Sequence, residues 1–406
     1  MRMEIQPILA ALRKHRLATL LIALEIALAC AVLCNACFLI ANRMDAMRVN
    51  SGVEEASLAT LQISGFDEKQ ASDVNARMLA GLRTIPGVQS ASVLNSIPFG
   101  EHRGRVGITT DPEGKQFGGV IELYLGGPGS AEAMGLKLVA GRALQADDYQ
   151  PFTGVFPSSA PVLMARELAE HLWPGADPLG KVIWVDKWSY RVVGIVDHLA
   201  TPAPDWAGRS APGWSAFVPA QPGPSLAGSY LIKAPPADID RVLRDARALV
   251  AKVAPDTVLD QEGSQTIGDL RAQFFQQDRI MAFMLVGVIV ALLLVTALGI
   301  VGLASFWVQQ RRKQIGIRRA IGATRGDILR YFQTENFLIV SGGIGLGMVM
   351  AFGLNLALMK FYELPHLPLR YLPIGAAALW TLGQIAVLGP ALRAAAVPPV
   401  VATRSG

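Results

Sequence analysis

The chain has 406 residues, of which 51% are hydrophobic and only 17% are charged, a composition typical of a membrane protein with a large soluble part. Its net charge of +5 is unevenly distributed: residues 43–278 hold 21 Lys and Arg against 27 Asp and Glu, whereas the remainder holds 16 against 5. Basic residues collected on one side of a membrane produce this pattern, so we expect no nucleic-acid partner.

Four segments reach the roughly 20 residues that a membrane-spanning helix needs. The first covers residues 17–41 and is longer than the apolar core of a cleaved signal peptide. The others cover about residues 280–308, 337–359 and 372–392. We therefore predict a membrane domain of four α-helical spans, with the first span within residues 1–42 and the other three within residues 279–406.

The orientation of the spans follows from their flanking charges. Basic residues precede the first span and follow the second and fourth, which marks that side as cytoplasmic. Both termini are then cytoplasmic, and residues 43–278 lie outside. Residues 280–308 would form a helix of about 43 Å, longer than the hydrocarbon layer of about 30 Å. No proline lies within residues 8–85 or 256–364, so spans one and two can continue outward as rigid struts.

A few polar residues and glycines interrupt the apolar spans. Glu25 is open to two interpretations, a polar contact within the helix bundle or a proton relay. Three further polar residues are predicted to form hydrogen bonds between helices: Asn35, Thr296 and Gln384. Three cysteines share one helical face and are predicted to be small packing residues: Cys30, Cys34 and Cys37. Three glycines are predicted to let helices approach closely: Gly343, Gly347 and Gly353.

The outer segment has the pattern of an α+β domain. Strand–helix–strand patterns cover residues 58–94 and 230–260, and they flank a stretch rich in glycine, proline and short apolar runs. We predict a split βαβ subdomain, formed by about residues 54–96 and 229–278, with a β-rich subdomain of about residues 97–228 inserted into it.

The sequence offers no catalytic, cofactor-binding or metal-binding site. Gly175, Gly180 and Lys181 nearly match a phosphate-binding loop, but Val182 replaces the hydroxyl residue that would hold Mg²⁺ and Pro178 removes an amide donor. A turn that enters a strand is the better interpretation. The five histidines show no metal-ligand spacing, and no catalytic triad or carboxylate pair is evident. We therefore expect a chain that is not an enzyme.

The loop between the second and third spans carries the most informative motif. Residues 309–324 read QQRRKQIGIRRAIGAT, and residues 311–330 hold seven cations against the single anion Asp327. This loop resembles the one by which MacB-like and FtsX-like ABC permeases dock on their ATPase. The resemblance implies a short helix that presents Ile315, Ile317 and Ile321 to a groove on the ATPase. The coupling residues are then Gln314, Ile315, Gly316, Ile317, Arg318, Arg319, Ala320, Ile321, Gly322 and Ala323.

The resemblance extends over nearly the whole chain. Residues 10–44 are similar to the first span of these permeases, residues 129–148 and 161–197 to elements of their periplasmic core, and residues 311–330 and 390–400 to their C-terminal region. Gln314 stands where the pattern usually has Glu, which removes one negative charge. Only about 16 residues precede the first span. We therefore expect the ATPase, with its ATP and Mg²⁺, to be a separate chain.

The resemblance implies a permease subunit of a mechanotransmission ABC transporter in the bacterial inner membrane. Its expected partners are a cytoplasmic ABC ATPase, a second permease (identical or a paralogue), membrane lipid, a periplasmic adaptor and an outer-membrane duct. Its expected role is efflux of a peptide, an antibiotic or another small molecule. Two alternatives share this architecture: an FtsX-like signalling subunit that regulates a cell-wall hydrolase, and a lipoprotein-extraction permease. The large outer domain favours export.

Overall fold

A computed structural model describes residues 16–101, 104–202, 213–362 and 366–398. Predictions that concern residues 1–15 and 399–406, or the prolines within residues 203–212, lie outside these residues. The chain divides into two units, which we call the membrane unit (Met1–Met47 with Gln277–Gly406) and the outer unit (Arg48–Gln276). The first described helix, α1, belongs to the membrane unit and covers Arg16–Met47.

The outer unit contains five helices and eleven strands among its described residues. The helices are α2 (Ala71–Arg83), α3 (Ser130–Met134), α4 (Arg166–Leu172), α5 (Ile239–Val253) and α6 (Ile267–Phe274). The strands are β1 (Leu58–Ser64), β2 (Ser90–Val93), β3 (Arg105–Thr109), β4 (Phe117–Gly126), β5 (Leu138–Gly141), β6 (Ser159–Ala165), β7 (Val182–Val185), β8 (Trp188–Val196), β9 (Ser215–Pro219), β10 (Ser229–Lys233) and β11 (Val258–Asp260).

One sheet joins the two ends of the outer unit. Its order is β11–β1–β10–β2, and β1 and β2 both pair antiparallel with β10, so they run parallel to each other on either side of it. Helix α5 buries Val242, Ala246 and Val250, which recur every three or four residues on one face. Leu249 and Val253 of the same helix lie against Gly81 of α2. The strands and helices predicted for these segments are confirmed.

The second sheet closes into a ring. Its strands follow the order β8–β6–β9–β4–β3–β7, and β7 pairs with β8 again, while β5 pairs with the other end of β8. Buried side chains such as Ile121, Val162 and Tyr190 belong to the apolar core of the outer unit. The sequence predicted β-rich structure here but not the closure, because closure depends on a single pairing, Thr109 with Trp184, between β3 and β7.

Arg271 ties together the two ends of the outer unit. Its guanidinium donates to the Glu55 carboxylate at 2.7 Å and to the Val49 carbonyl at 2.7 Å, and it lies 5.0 Å from the centre of the Phe99 ring. Phe99 is buried and adopts a φ of +67°, a conformation that side chains rarely adopt. The segments through which the chain enters and leaves the outer unit are therefore joined at one side chain.

Among its described residues, the membrane unit contains four helices long and apolar enough to cross a membrane, as predicted. After α1 these are α7 (Gln276–Gln310), α9 (Arg325–Tyr362) and α10 (Tyr371–Ala395), with the short helix α8 (Arg312–Ala320) after α7. With 32 and 35 residues, α1 and α7 are about 48 and 52 Å long. Near their outer ends they are joined by an ion pair between Arg43 and Asp278.

Helix α9 begins twelve residues earlier than the predicted third span. Thr324 and Asp327 account for the difference: the Asp327 carboxylate accepts from the Thr324 backbone amide at 3.0 Å, and the Thr324 hydroxyl accepts from the Asp327 amide at 3.2 Å. This reciprocal arrangement is a capping box, which satisfies free amides at a helix start. The basic segment before the third span is therefore helical from Arg325 onward.

Two of the three predicted packing glycines lie between α1 and α9. A Cβ on Gly347 would lie 2.5 Å from the Cβ of Cys30, and one on Gly343 would lie 2.8 Å from Ile26. Gly353 lies elsewhere: apart from its own helix backbone, no described atom lies within 4 Å of its Cβ position, so close packing at Gly353 stays a prediction. The partner helix, which the sequence left open, is α1.

The polar residues of the spans behave differently from one another. Asn35 donates to the Ala351 carbonyl of α9 at 3.1 Å, as predicted for a contact between helices. Thr296 instead donates to Leu292 of its own helix, and Gln384 has a buried Nε2 without a hydrogen-bond partner among the described residues. Glu25 lies against Gly299 of α7, and within the described chain its buried Oε1 has no partner either.

Candidate coupling site

The short helix α8 is separated from both long helices that flank it. Arg311 leaves the helical conformation, with φ −98° and ψ 10°, between the end of α7 and the start of α8. Gly322 follows α8 with a φ of +107°, which glycine adopts at little cost. The predicted short helix is therefore present, although it covers Arg312–Ala320 and not all of residues 314–323.

Arg311 anchors the start of α8 to α9. Its Nη1 donates to the Glu335 carboxylate oxygens at 2.9 and 3.0 Å, and its guanidinium lies 5.5 Å from the centre of the Trp307 ring. The side chain of Glu335 is 1% exposed and that of Arg311 is 13% exposed. Glu335 lies just before the predicted third span, but the sequence did not reveal this pair, because its partners lie 24 residues apart in the chain.

Ile315 fixes the inner face of α8. It is buried and belongs to an apolar cluster with Ile328 and Phe332 of α9 and Ala391 of α10. Gly316 is also buried. The expectation that Ile315 would face a partner is therefore wrong: this side chain attaches the helix to its own unit. The helical spacing carries a signal for this difference: Ile317 and Ile321 are one turn apart, whereas Ile315 is two residues from Ile317 and lies on another side of the helix.

The outer face of α8 presents two isoleucines one turn apart. Ile317 is 45% exposed and Ile321, just after the helix, is 82% exposed. Arg318 extends over the Tyr331 ring at 5.0 Å, and Arg319 donates to the Ala395 carbonyl, so both arginines are partly held against the unit. Exposed residues complete this face: Arg312, Lys313, Gln314, Ala320 and Gly322, with Ala323 half-buried. Two exposed isoleucines surrounded by cations are complementary to an apolar groove with acidic residues at its edge on a partner protein.

The segment that nearly matches a phosphate-binding loop is a turn that enters β7, as the sequence favoured. The Asp177 carboxylate accepts from the Leu179 amide at 3.0 Å, and Lys181 lies 5.0 Å from the centre of the Trp173 ring. In the described residues, no group of three or more His, Cys, Asp or Glu is arranged to hold a metal ion.

Two protein families match this chain in sequence. Residues 19–249 match the MacB-like periplasmic core domain, and residues 286–399 match the FtsX-like permease C-terminal region. The second match contains α8 and the Glu335 anchor. Together the matches cover both units of the chain.

Individual relatives include two proteins named macrolide export ATP-binding/permease protein MacB. The one from Bradyrhizobium diazoefficiens is 32% identical over 55% of this chain and 34% of its own length. The one from Neisseria gonorrhoeae is 24% identical over 87% and 52%. The pyoverdine export ATP-binding/permease protein PvdT from Pseudomonas putida is 27% identical over 61% and 38%. The chain thus spans about a third to a half of these relatives.

Among solved structures, the periplasmic region of MacB from Actinobacillus actinomycetemcomitans aligns with 53% of this chain and 93% of its own length, at 18% identity and a TM-score of 0.32.

Proposed function

Because the chain belongs to the ABC transporter permeases that have a MacB-like periplasmic core domain and an FtsX-like C-terminal region, we propose that it transmits movement from an ATPase in a separate chain to its outer unit. It is a multi-pass inner-membrane protein whose outer unit is periplasmic. Both termini and α8 are then cytoplasmic. We assign the two sheets of the outer unit to a split βαβ subdomain and an inserted β-rich subdomain.

The geometry of α8 is the observation that carries this proposal. A nine-residue helix is held by Ile315 on one face and by the Arg311–Glu335 ion pair at its start, while Ile317 and Ile321 remain exposed. A helix attached to its own unit in this way transmits force, whereas a flexible basic loop would absorb it. The exposed isoleucines supply the contact area for the ATPase, and the surrounding cations orient it.

The route to the outer unit runs through α1 and α7. Both exceed the thickness of the hydrocarbon layer, and the Arg43–Asp278 ion pair joins them near their outer ends. Arg271 then joins the segments that follow α1 and precede α7. In this proposal, movement of the two helices passes along the chain into the two segments that Arg271 joins.

The cargo and remaining partners are proposed by analogy with the relatives. Their names specify export of a macrolide and of pyoverdine, so we propose efflux of a small molecule or peptide. The machine would contain two permeases and two ATPase subunits, with a periplasmic adaptor and an outer-membrane duct. ATP and Mg²⁺ would bind the ATPase, because the only loop here that resembles a phosphate site among the described residues is a turn of the outer unit.

The substitution Ile317→Asp tests the proposal. It would place an unpaired charge in the apolar contact, at a cost of several kcal/mol if the site is fully desolvated. We expect the variant to insert into the membrane, to lose its ATPase on co-purification and to lose transport. The readout is the ratio of ATPase to permease in the purified complex.

The control is Val258→Asp, because Val258 is 64% exposed in the outer unit and receives the same chemical change. It should retain the ATPase. If Ile317→Asp kept the ATPase at the wild-type ratio and still supported transport, α8 would not be the coupling element. Co-purification of a peptidoglycan hydrolase instead of an adaptor would favour the signalling alternative.

A further inference from the structure

A groove between α9 and α10 combines polar and aromatic side chains. It encloses about 220 Å³ and is lined by Arg330, Gln333, Thr334, Phe337 and Gln384. The first four stand at positions i, i+3, i+4 and i+7 of α9, so they share one face of that helix. Gln384 enters from α10. These residues lie outside α8 and are not used in the coupling proposed above.

Contacts next to the groove hold its two helices together. The Asn336 side-chain amide donates to the Gly383 carbonyl at 2.9 Å, and a Cβ on Gly383 would lie 2.9 Å from Val340. Helices α9 and α10 are therefore held close together at the residue next to Gln384. The Trp380 ring stacks on Phe337, with 5.8 Å between ring centres, and its Nε1 donates to Ser341 at 3.0 Å. Both walls are thus fixed before any ligand binds.

One donor of a residue that lines the groove is unused. The Nε2 of Gln384 is buried and has no hydrogen-bond partner among the described residues. A buried amide nitrogen without a partner costs about 1–3 kcal/mol, so an acceptor oxygen placed here would be stabilising. Arg330, which is exposed, supplies a cation on the same groove. The two donors together suit an anion that carries several acceptor oxygens, such as a phosphate.

The side chains change from charged to apolar along the helix axis. Arg330 stands at one end, Gln333, Thr334 and Gln384 follow, and Phe337 and Trp380 stand at the other. The distance along α9 from Arg330 to Phe337 is about 10 Å, comparable to the depth of a lipid headgroup layer. A phospholipid has the same order, because its phosphate lies at the interface and its acyl chains lie in the hydrocarbon.

From this order we propose that the groove binds the headgroup of one anionic glycerophospholipid. The phosphate accepts from Arg330 and from the Gln384 amide, and an acyl chain lies against Phe337 and Trp380. Clustered cations attract anionic lipid to a membrane surface, but the unused amide donor and the fixed aromatic wall distinguish a site from that general attraction. The proposal requires only that α9 and α10 span the membrane.

Native mass spectrometry of the full chain in detergent, titrated with phosphatidylglycerol, tests the site. Arg330→Gln should weaken binding of one lipid by about five- to tenfold, since it removes a charge-assisted hydrogen bond. Gln384→Leu, which keeps the helix apolar and should fold normally, should weaken it by about threefold or more. Phosphatidylcholine should bind the wild-type chain more weakly than phosphatidylglycerol does.

The matched control is Arg325→Gln, the same change at an exposed arginine of α9 that does not line the groove. It should change the affinity by less than about twofold, because only general attraction is lost. The proposal would be overturned if Arg325→Gln and Arg330→Gln lowered the affinity for phosphatidylglycerol equally. It would also be overturned if neither Arg330→Gln nor Gln384→Leu lowered that affinity. Displacement of the lipid by millimolar inorganic phosphate, or by the bound ATPase, would overturn it in favour of a free anion or a protein side chain.

Discussion

The ion pair between Arg311 and Glu335 is the most buried charged contact described at the candidate site. Removing one partner of such a pair leaves a charge without compensation, which costs about 3–5 kcal/mol, whereas replacing both by apolar residues costs far less. We predict that Glu335→Ala lowers the free energy of unfolding in mixed micelles by that amount. The double variant Arg311→Met/Glu335→Leu should recover most of it.

A double-mutant cycle over this pair separates its contribution from general loss of packing. If Glu335→Ala cost less than about 1 kcal/mol, the pair would not anchor α8. The cycle compares Arg311→Met, Glu335→Leu and the double variant. If the losses of unfolding free energy in the two single variants added up to the loss in the double variant, the two side chains would not interact and the pair would not anchor α8.

His198 gives the outer unit a dependence on pH. Its Nδ1 lies 2.8 Å from the Glu167 carboxylate and its Nε2 lies 2.6 Å from the Asn50 carbonyl, so only a ring protonated at both nitrogens donates to both acceptors. The Glu167 carboxylate, together with the Asn50 carbonyl, raises the pKa of His198 above its ordinary value. This contribution to stability is fully present below the unfolded pKa of about 6.5 and is lost as pH rises through the folded pKa.

We therefore predict that His198→Gln destabilises the chain at pH 5.5 and does so progressively less as the pH rises above 7. The effect should be below about 1 kcal/mol, because Glu167 is 46% exposed and water screens the pair. Thermal unfolding across this pH range provides the measurement, and His171→Gln is the control for loss of an imidazole. A difference that is constant with pH would contradict the assignment.

At the residue level, the prediction placed a short helix in this segment but gave neither its bounds, Arg312–Ala320, nor the burial of Ile315. Ile317 and Ile321 were expected to be exposed and are, whereas Ile315 is buried. The anchors, Arg311 with Glu335 and Arg271 with Glu55, join residues 24 and 216 positions apart. Pairs at such separations depend on tertiary packing and leave no local pattern in a sequence.

At the level of elements, contact between α1 and α9 depends on glycines. A Cβ at Gly347 would lie 2.7 Å from the Ala27 carbonyl oxygen, and backbone atoms cannot move aside as a flexible side chain can. We predict that Gly347→Ala lowers the free energy of unfolding by about 1–3 kcal/mol through overpacking. Gly345→Ala and Gly353→Ala, whose Cβ positions meet no described atom within 4 Å, should change it by less than about 0.5 kcal/mol.

The same denaturation in mixed micelles measures all three glycine variants. If Gly353→Ala were as destabilising as Gly347→Ala, a contact with a second chain would explain the loss better than packing against α1, because the change from Gly to Ala favours a helix.

Helices and strands were largely predictable from the sequence because their apolar periods are local. The spans and the strands β1, β10 and β11 lie close to their predicted positions. The early start of α9 was missed because its signal is a capping box at Thr324 and Asp327, within a segment dominated by its charges. Closure of the β-ring was not predictable, because pairing between distant strands is not encoded in the period of any one of them.

On the scale of the whole molecule, the charge partition predicted the orientation of the spans, and the resemblance that begins with the basic loop implied a permease, with which the family matches agree. The sequence could not supply the contacts on which the proposed mechanical connection depends. That connection comprises the anchored α8, the ion pair between α1 and α7, and the Arg271 junction of the outer unit, each formed by residues far apart in the chain. No feature of the described residues indicates which molecule is transported.

The central claim is that ATP acting on a separate subunit moves the outer unit through α8. Hydrogen–deuterium exchange of the full complex in lipid nanodiscs, with and without ATP and vanadate, tests it most directly. We predict that exchange changes in residues 48–57 and 267–276, where Arg271 joins the two ends of the outer unit. The Ile317→Asp chain, mixed with the same ATPase, should show no change. Unchanged exchange in the wild-type complex, while its bound ATPase traps nucleotide, would contradict the account.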